Sequence, residues 1–254
     1  MRNIKVTIEY DGTNYCGWQT QKLQPESLTI QEVMEKALLQ VFQKKVKLIA
    51  SGRTDSGVHA RGQVANFRVN SKLSLDKIQA ALNSYLPFDI VIKRAQNASL
   101  NFHSRFDAAS KTYKYFILNT GTPSPFNRRY CLFIPYSLDL ENMEKGAKHI
   151  LGRHNFKSFQ GRATRSGNSI RTIKGLSITR KKNLITIEVE SNGFLYNMVR
   201  IIVGTLIEVG RGRFNPGYVK QLVKAKDRRL AGPTAPARGL CLMRVNYKNL
   251  TRIN

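Results

Sequence analysis

The chain has 254 residues, 41% of them apolar, which is enough to build a core and excludes wholesale disorder. Its 42 Lys and Arg stand against 16 Asp and Glu, a formal net charge of +26. That excess goes far beyond what solubility asks of a chain this short. It points to an anionic polymer as partner, because stripes of Lys and Arg displace the counterions condensed on phosphates.

Three cysteines, Cys16, Cys131 and Cys241, lie far apart, and none of them pairs at metal-ligand spacing. Their odd number argues against a disulfide framework and for a reducing compartment. His59, His103, His149 and His154 complete no ligand pattern, so no structural zinc is expected. The N-terminus, MRNIKVTIEYDG, lacks the apolar run of a signal peptide. The most apolar stretch, Phe194 to Val209, carries Arg200 and Glu208 and falls short of the ~20 apolar residues of a membrane span. A cytoplasmic protein without a membrane partner is the expectation.

In chain order, Ile4, Val6, Ile8 and Tyr10 alternate with polar residues, predicting a strand that ends at Asp11-Gly12. Ile30, Val33, Met34, Ala37, Leu38, Val41 and Phe42 follow helical spacing, and Thr29 with Glu32 forms a capping box at the start. Strands are expected around Val46–Ala50 and Gln63–Val69. A helix capped by Ser74 and stopped by Pro87 comes next, then a strand from Asp89 to Arg94. The order is βαββαβ, the split arrangement of ferredoxin-like domains.

The second half predicts the same order again. A strand is expected near Lys111–Leu118 and a helix near Leu140–Leu151, with Asp139 as its cap. Strands near Ile170–Thr179 and Leu184–Glu190 precede an apolar helix over Leu195–Val209. A further helix follows Pro216, and Leu240–Tyr247 forms the last strand. The fold class is therefore α+β, with two ferredoxin-like or RRM-like domains, 1–106 and 107–254, on mainly antiparallel sheets.

Charge divides unequally between these halves. Residues 1–106 hold 15 basic and 8 acidic residues, whereas 107–254 hold 27 and 8, balances of +7 and +19. The second half should supply most of the attraction for phosphate. Its clusters include Arg128-Arg129, Arg162, Arg165, Arg171, Arg180-Lys181-Lys182 and Arg228-Arg229, and Gly161–Asn168 reads as a mobile basic loop.

The stretch richest in chemistry is Ser51-Gly52-Arg53-Thr54-Asp55-Ser56-Gly57-Val58-His59-Ala60. An acid lies between two glycines, after one strand and before the next, where the backbone can turn sharply and a large ligand can come close. The plainer reading is an Asx-turn, with Asp55 capping its own backbone. Acids are scarce in this chain, however, and this one is flanked by Arg53 and Arg61. A carboxylate beside arginines stays ionised, which suits a nucleophile or an electrostatic stabiliser better than a general acid.

This loop resembles the catalytic signature of the TruA family of tRNA pseudouridine synthases, in which GRTD is followed by a small residue and GVHA. Tyr10-Asp11-Gly12-Thr13 with Gly17-Trp18-Gln19 is similar to the family's N-terminal motif. Arg105-Phe106-Asp107-Ala108 leading into Lys111-Thr112-Tyr113-Lys114-Tyr115 resembles its interdomain strand. Phe194-Leu195, Met198-Val199-Arg200, Ile202–Leu206 and Val209-Gly210 resemble its central helix, and Thr234–Ala237 with Gly239-Leu240 its C-terminal motif. These stretches stand in family order along nearly the whole chain; Phe159–Asn168 matches least.

The resemblance implies the pseudouridine synthase fold and an isomerase, an intramolecular transferase needing neither metal nor cofactor. It implies a homodimer that modifies uridines at positions 38, 39 and 40 of the tRNA anticodon stem-loop after flipping the target base. It makes Asp55 the nucleophile, attacking either C1′ or C6. Tyr113 becomes the active-site tyrosine, stacking on the uracil with its hydroxyl available for proton movement at C5. Arg200 becomes the partner of the Asp55 carboxylate, and Arg53 the arginine that holds the flipped RNA. From the residues alone, Tyr113 is equally a half-buried strand aromatic; Arg200, inside an apolar helix, calls for an acidic partner, with snorkelling to the surface as the lesser alternative. His59 either touches phosphate or satisfies its turn. Tyr15 and Trp18 either stack on bases or pack in the core.

Two rivals are weighed. A catalytically silent RNA-binding module on RRM-like sheets accounts for the charge and the element order but not for the Asp55 loop together with Tyr113 and Arg200. A metal-dependent nuclease would need further carboxylates clustered near Asp55.

Overall fold

The computed structural model describes residues 1–20, 28–161 and 167–248. The chain divides into two units, Met1–Ala109 with Leu242–Asn254, and Ser110–Cys241. The expected boundary after residue 106 thus falls a little later, and the chain from Leu242 onward returns to the first unit. The last strand lies where alternation places it, at Leu240–Tyr247, but most of it belongs to the first unit and not to the second. Alternation locates a strand and does not say which edge it will join.

The first unit contains β1 (Arg2–Tyr10), α1 (Ile30–Phe42), β2 (Ile49–Ala50), β3 (His59–Val69), α2 (Leu75–Tyr85) and β4 (Ile90–Ala98). Its sheet runs β4-β1-β3-β10, where β10 is Leu240–Tyr247, and β2 also pairs with β3. β1 is antiparallel to both β3 and β4. Ile4, Val6, Ile8 and Tyr10 are buried on one face of β1, as period 2 requires. α1 covers that layer through Ile30, Met34, Ala37 and Leu38, which form an i, i+4, i+7, i+8 stripe. Both expected caps are present: Thr29 and Glu32 bond reciprocally, and the Ser74 side chain accepts from the Lys77 amide. The strand expected over Val46–Ala50 shrinks to two paired residues, although Val46 and Leu48 are buried as its alternation demands. β3 starts four residues earlier than the expected Gln63, so His59 and Ala60 belong to the sheet.

The second unit contains β5 (Ala108–Asn119), β6 (Leu132–Ile134), α3 (Leu140–Lys148), β7 (Gly152–Asn155), β8 (Ile170–Lys181), β9 (Leu184–Ser191), α4 (Met198–Gly210) and α5 (Tyr218–Ala225). The order β5-β9-β8-β7 is antiparallel throughout, while short β6 lies parallel to β5. Asp139 caps α3 by accepting from the Asn142 amide. β6 and β7 go beyond the expected elements, because three or four residues carry too little alternation to register.

α4 is the core of this unit: every one of its residues except Arg200 is buried. It begins at Met198 and not at Leu195, because Asn197 takes a left-handed conformation (φ 57°, ψ 8°) that no helix propagates. Arg200 consequently lies in the first turn and not mid-helix. No helix among the described residues is long and apolar enough to cross a membrane.

Candidate active site

The loop between β2 and β3 carries Arg53 and Asp55, and it is tied to its surroundings at several backbone groups on both sides of them. The Ser51 amide donates to the Val64 carbonyl at 2.7 Å, and the Ser51 hydroxyl to Gln63 Oε1 at 2.7 Å. Gln63 in turn donates through Nε2 to the Gly52 carbonyl at 3.0 Å. The Thr54 carbonyl accepts from the Trp18 amide at 3.1 Å, and the Thr54 hydroxyl meets Tyr10 Oη at 2.8 Å. The Gly57 amide donates to the Tyr15 carbonyl at 3.2 Å, and Ser56 Oγ reaches the same carbonyl. A tight turn closes between the Asp55 carbonyl and the Val58 amide, with Gly57 at φ +74° where an L side chain would be strained. The result is an irregular loop, fixed in place, that leaves Asp55 half-buried and Arg53 exposed.

The N-terminal motif forms the back wall of this loop. A Cβ on Gly17, itself at φ +89°, would stand 2.6 Å from the Thr54 carbonyl, and one on Gly12 would collide with the Val58 carbonyl. Only glycine admits the two backbones so close. Trp18 is 2% exposed and Tyr15 4%, so both pack in the core, and base stacking is not their part. Trp18 lies 6.0 Å from the Tyr10 ring, while Tyr15 donates its hydroxyl to Asp89 at 2.6 Å. Burial, reinforced by Asp89, pushes the Tyr15 phenol well above its ordinary pKa, which keeps it a neutral donor. His59 is buried too, with Nδ1 3.1 Å from the Gly12 amide and 3.0 Å from Asp11 Oδ1. Of its two expected roles, it fills the one that satisfies the turn.

In the second unit Tyr113 sits on β5 opposite Val189 of β9. It is 8% exposed, with the edge of its ring against Phe194 at 5.1 Å between centroids (interplanar 88°). Tyr115 shares its face, as period 2 predicts, whereas Lys114 on the other face pairs with Glu188 at 3.1 Å. Tyr115 is fully buried and donates to the Pro236 carbonyl at 2.8 Å. Burial raises its pKa well above the usual phenol value, against the pull of Arg200 and Arg238.

Arg200 does not snorkel away. Its Nε donates to the Ala235 carbonyl at 2.7 Å and its Nη1 to Asn197 Oδ1 at 3.0 Å. The Ala235 amide returns a bond to the Arg200 carbonyl at 3.1 Å, so the two residues clasp each other. A cation in the first turn of a helix faces the positive end of the helix dipole, an arrangement that costs roughly 0.3–1 kcal/mol and is tolerated where acceptors are supplied.

Of the expected site residues, Asp55 and Arg53 thus share one loop of the first unit, while Tyr113 and Arg200 belong to the second. Two further residues touch these groups, Asn197 at Arg200 and Phe194 at Tyr113, and Asn197 stands in none of the motifs above. The signal available was an Asn directly ahead of a long apolar run, a common helix-boundary residue. Among the basic clusters, Arg180 donates to Asn119 Oδ1 at 2.8 Å and Arg229 pairs with Asp227 at 2.6 Å, whereas Arg162 and Arg165 lie outside the described residues.

The tRNA pseudouridine synthase family matches this chain over residues 6–107 and 147–248. The tRNA pseudouridine synthase A of Thermoanaerobacter sp. (strain X514) is 47% identical over 247 residues, covering 97% of this chain and all of that protein. The tRNA pseudouridine synthase A 2 of Clostridium perfringens (strain 13 / Type A) shows the same identity and coverage. A solved Cbf5-Nop10-Gar1 complex aligns with 95% of this chain and 59% of its own at 10% identity, with a TM-score of 0.38. With both halves matched by one family, and with relatives this similar along their full length, the chain belongs to the tRNA pseudouridine synthases.

Proposed function

We propose that this chain, which as a member of its family isomerises uridine in tRNA, acts on the anticodon stem-loop at positions 38, 39 and 40, as a cytoplasmic homodimer. Asp55 is the nucleophile. Its carboxylate bonds to the target nucleotide at C1′ or at C6, the N1–C1′ bond breaks, the uracil turns, C5 bonds to C1′, and the bond to Asp55 breaks again to return the free carboxylate. The proton lost from C5 is balanced by the one gained at N1, so no redox partner enters. A carboxylate attacking next to an oxocarbenium-like sugar carbon follows the logic of retaining glycosidases.

The observation that carries this reading is the Asp55 loop. Its backbone is tied at Ser51, Gly52, Thr54 and Gly57, yet its carboxylate-bearing residue stays partly exposed. A rigid loop presenting one acid is what a nucleophile needs, because positioning supplies much of the rate. Arg200 pairs with that carboxylate in the reacting complex. Tyr113 stacks on the flipped base and moves the proton at C5, and Arg53, exposed on the same loop, fills the gap left in the RNA stack.

Incubation with unmodified tRNA transcripts, followed by nucleotide-resolution mapping of pseudouridine, tests the activity and its target positions. Product confined to positions 38–40 supports it. Pseudouridine elsewhere would move the target site, and unchanged RNA would leave a silent RNA-binding module.

A further inference from the structure

We infer that Asn197 is a positioning residue for the isomerisation: it trades its ordinary capping role for a contact that aims the Arg200 guanidinium. The inference rests on the proposed role of Arg200 and adds to it the group that sets its direction.

The residue before a helix normally takes an extended conformation and offers its side-chain oxygen to the amides of the first turn, which stabilises the helix by about 1 kcal/mol. Thr29, Ser74 and Asp139 all do so in this chain. Asn197 does neither. Its backbone is left-handed (φ 57°, ψ 8°), and its side chain makes no capping bond to α4. Instead Oδ1 accepts from Arg200 Nη1 at 3.0 Å. Asn accepts a left-handed backbone more readily than other side chains, so what marks Asn197 is its contact: its oxygen goes to Arg200 in place of a capping bond.

The rest of the neighbourhood agrees. Asn197 fixes one end of the guanidinium and the Ala235 carbonyl, at Nε, fixes the other. With two atoms of a planar group held, its plane and direction are set. Ala235 is itself immobilised. The Gly232 amide donates to Thr205 Oγ1 at 3.0 Å, Pro236 accepts from Tyr115, and a Cβ on Gly204 would run into the Pro233 carbonyl. Segment 232–236 is therefore pressed onto α4. Across from it the Gly161 amide donates to the Tyr196 carbonyl at 2.8 Å, and a Cβ on Gly161 would stand 2.9 Å from Asn197 Nδ2. The amide of Asn197 is thus confined on the side away from Arg200.

Asn197→Gly separates the two things Asn197 does. Glycine accepts the left-handed backbone at least as readily, so the turn and the fold survive, but the acceptor for Nη1 is gone. With tRNA transcript as substrate, kcat should fall about ten-fold or more, the scale of a missing bond to a charged group, with KM and tRNA affinity close to wild type. Thermal stability should hold or rise. Asn197→Asp, which keeps an acceptor and tolerates the same backbone, should recover part of kcat. Wild-type kcat in Asn197→Gly would overturn the inference, as would an equal loss in Asn197→Asp and Asn197→Gly. Arg200→Ala keeps the two failures apart: full activity there would sink the role of Arg200 itself, whereas an inactive Arg200→Ala beside an active Asn197→Gly would sink only the positioning.

Discussion

The two units hold their charged residues in opposite ways. Asp55 sits on a loop with no regular structure, and its rigidity is borrowed through amides and carbonyls tied to Tyr15, Trp18, Gln63 and Val64. Arg200 sits on a buried helix that is rigid by its own ladder, and what it lacks is a favourable place for a cation. That is supplied from outside the helix, by the Ala235 carbonyl and Asn197. A loop thus needs its backbone held, and a helix needs its side chain held. Substitutions in the first unit should act through loop geometry, and those in the second through the direction of one guanidinium.

The largest effect belongs to Asp55→Asn, which keeps the shape but removes both the negative charge and the nucleophilic oxygen. Pseudouridine formation should drop to background, while tRNA binding survives, since removing a negative charge cannot weaken attraction to RNA. Residual isomerisation in that variant would overturn the assignment. Arg200→Ala should also abolish turnover, and Arg200→Lys should not rescue it. A lysine point charge cannot make both the Ala235 and the Asn197 contacts in one plane. If Lys did restore activity, charge alone would suffice and the contrast between the units would lose its second half.

Tyr113→Phe comes next. Its ring can still stack on a base and meet Phe194, so tRNA affinity should stay within a few-fold of wild type. Turnover should fall by about 10²–10⁴, the usual contribution of a proton-transfer group. Single-turnover kinetics on tRNA transcript distinguishes the two roles: an unchanged rate would leave Tyr113 with stacking alone.

Two glycines compare the units through stability. Gly17→Ala puts a side chain at φ +89° and 2.6 Å from the Thr54 carbonyl, so strain of about 1–3 kcal/mol adds to the steric cost. Gly204→Ala gains about 1 kcal/mol of helix propensity but drives segment 232–236 off α4, because its Cβ meets the Pro233 carbonyl. Both should unfold at lower temperature. A Gly204→Ala protein as stable and as active as wild type would show that segment 232–236 yields easily and does not fix Arg200.

Much of this is legible in the sequence, and the parts that are not share a cause. Alternation and caps place β1, α1, α2, α3, β9 and β10 closely, since burial on one face leaves a periodic trace. The Asp55 loop is legible because a scarce acid lies there between Arg53 and Arg61, in a string that resembles a family signature. Asn197 is not, because a left-handed residue before a helix leaves no period, and its value lies in a contact three residues away. The change of unit along β10 is hidden for a related reason: which strand an edge accepts is decided by pairing across the chain. Tyr15 and Trp18 are ambiguous because an aromatic suited to a base is equally suited to a core.

The smallest expected effect concerns the unequal charge. Lys181 and Lys182 stand exposed at the turn between β8 and β9, with Lys182 at φ 53°, while the neighbouring Arg180 is occupied with Asn119. In the first unit Lys44 and Lys45 are exposed in the same way just after α1. Replacing either pair by glutamine removes two positive charges from a surface turn and disturbs no bond on which the fold depends. If the second unit carries most of the phosphate contacts, the Lys181/Lys182 double variant should flatten the plot of log affinity against log salt by up to about 0.9 for each phosphate no longer neutralised. The Lys44/Lys45 variant should leave the slope nearly unchanged. Neither should alter kcat at saturating tRNA, because these charges attract the RNA and take no part in the reaction. The measurement is tRNA affinity across a salt series for both variants. A larger change in slope from Lys44/Lys45 would reverse the assignment of charge between the units, and it would mean that the RNA lies mainly along the unit that holds Asp55.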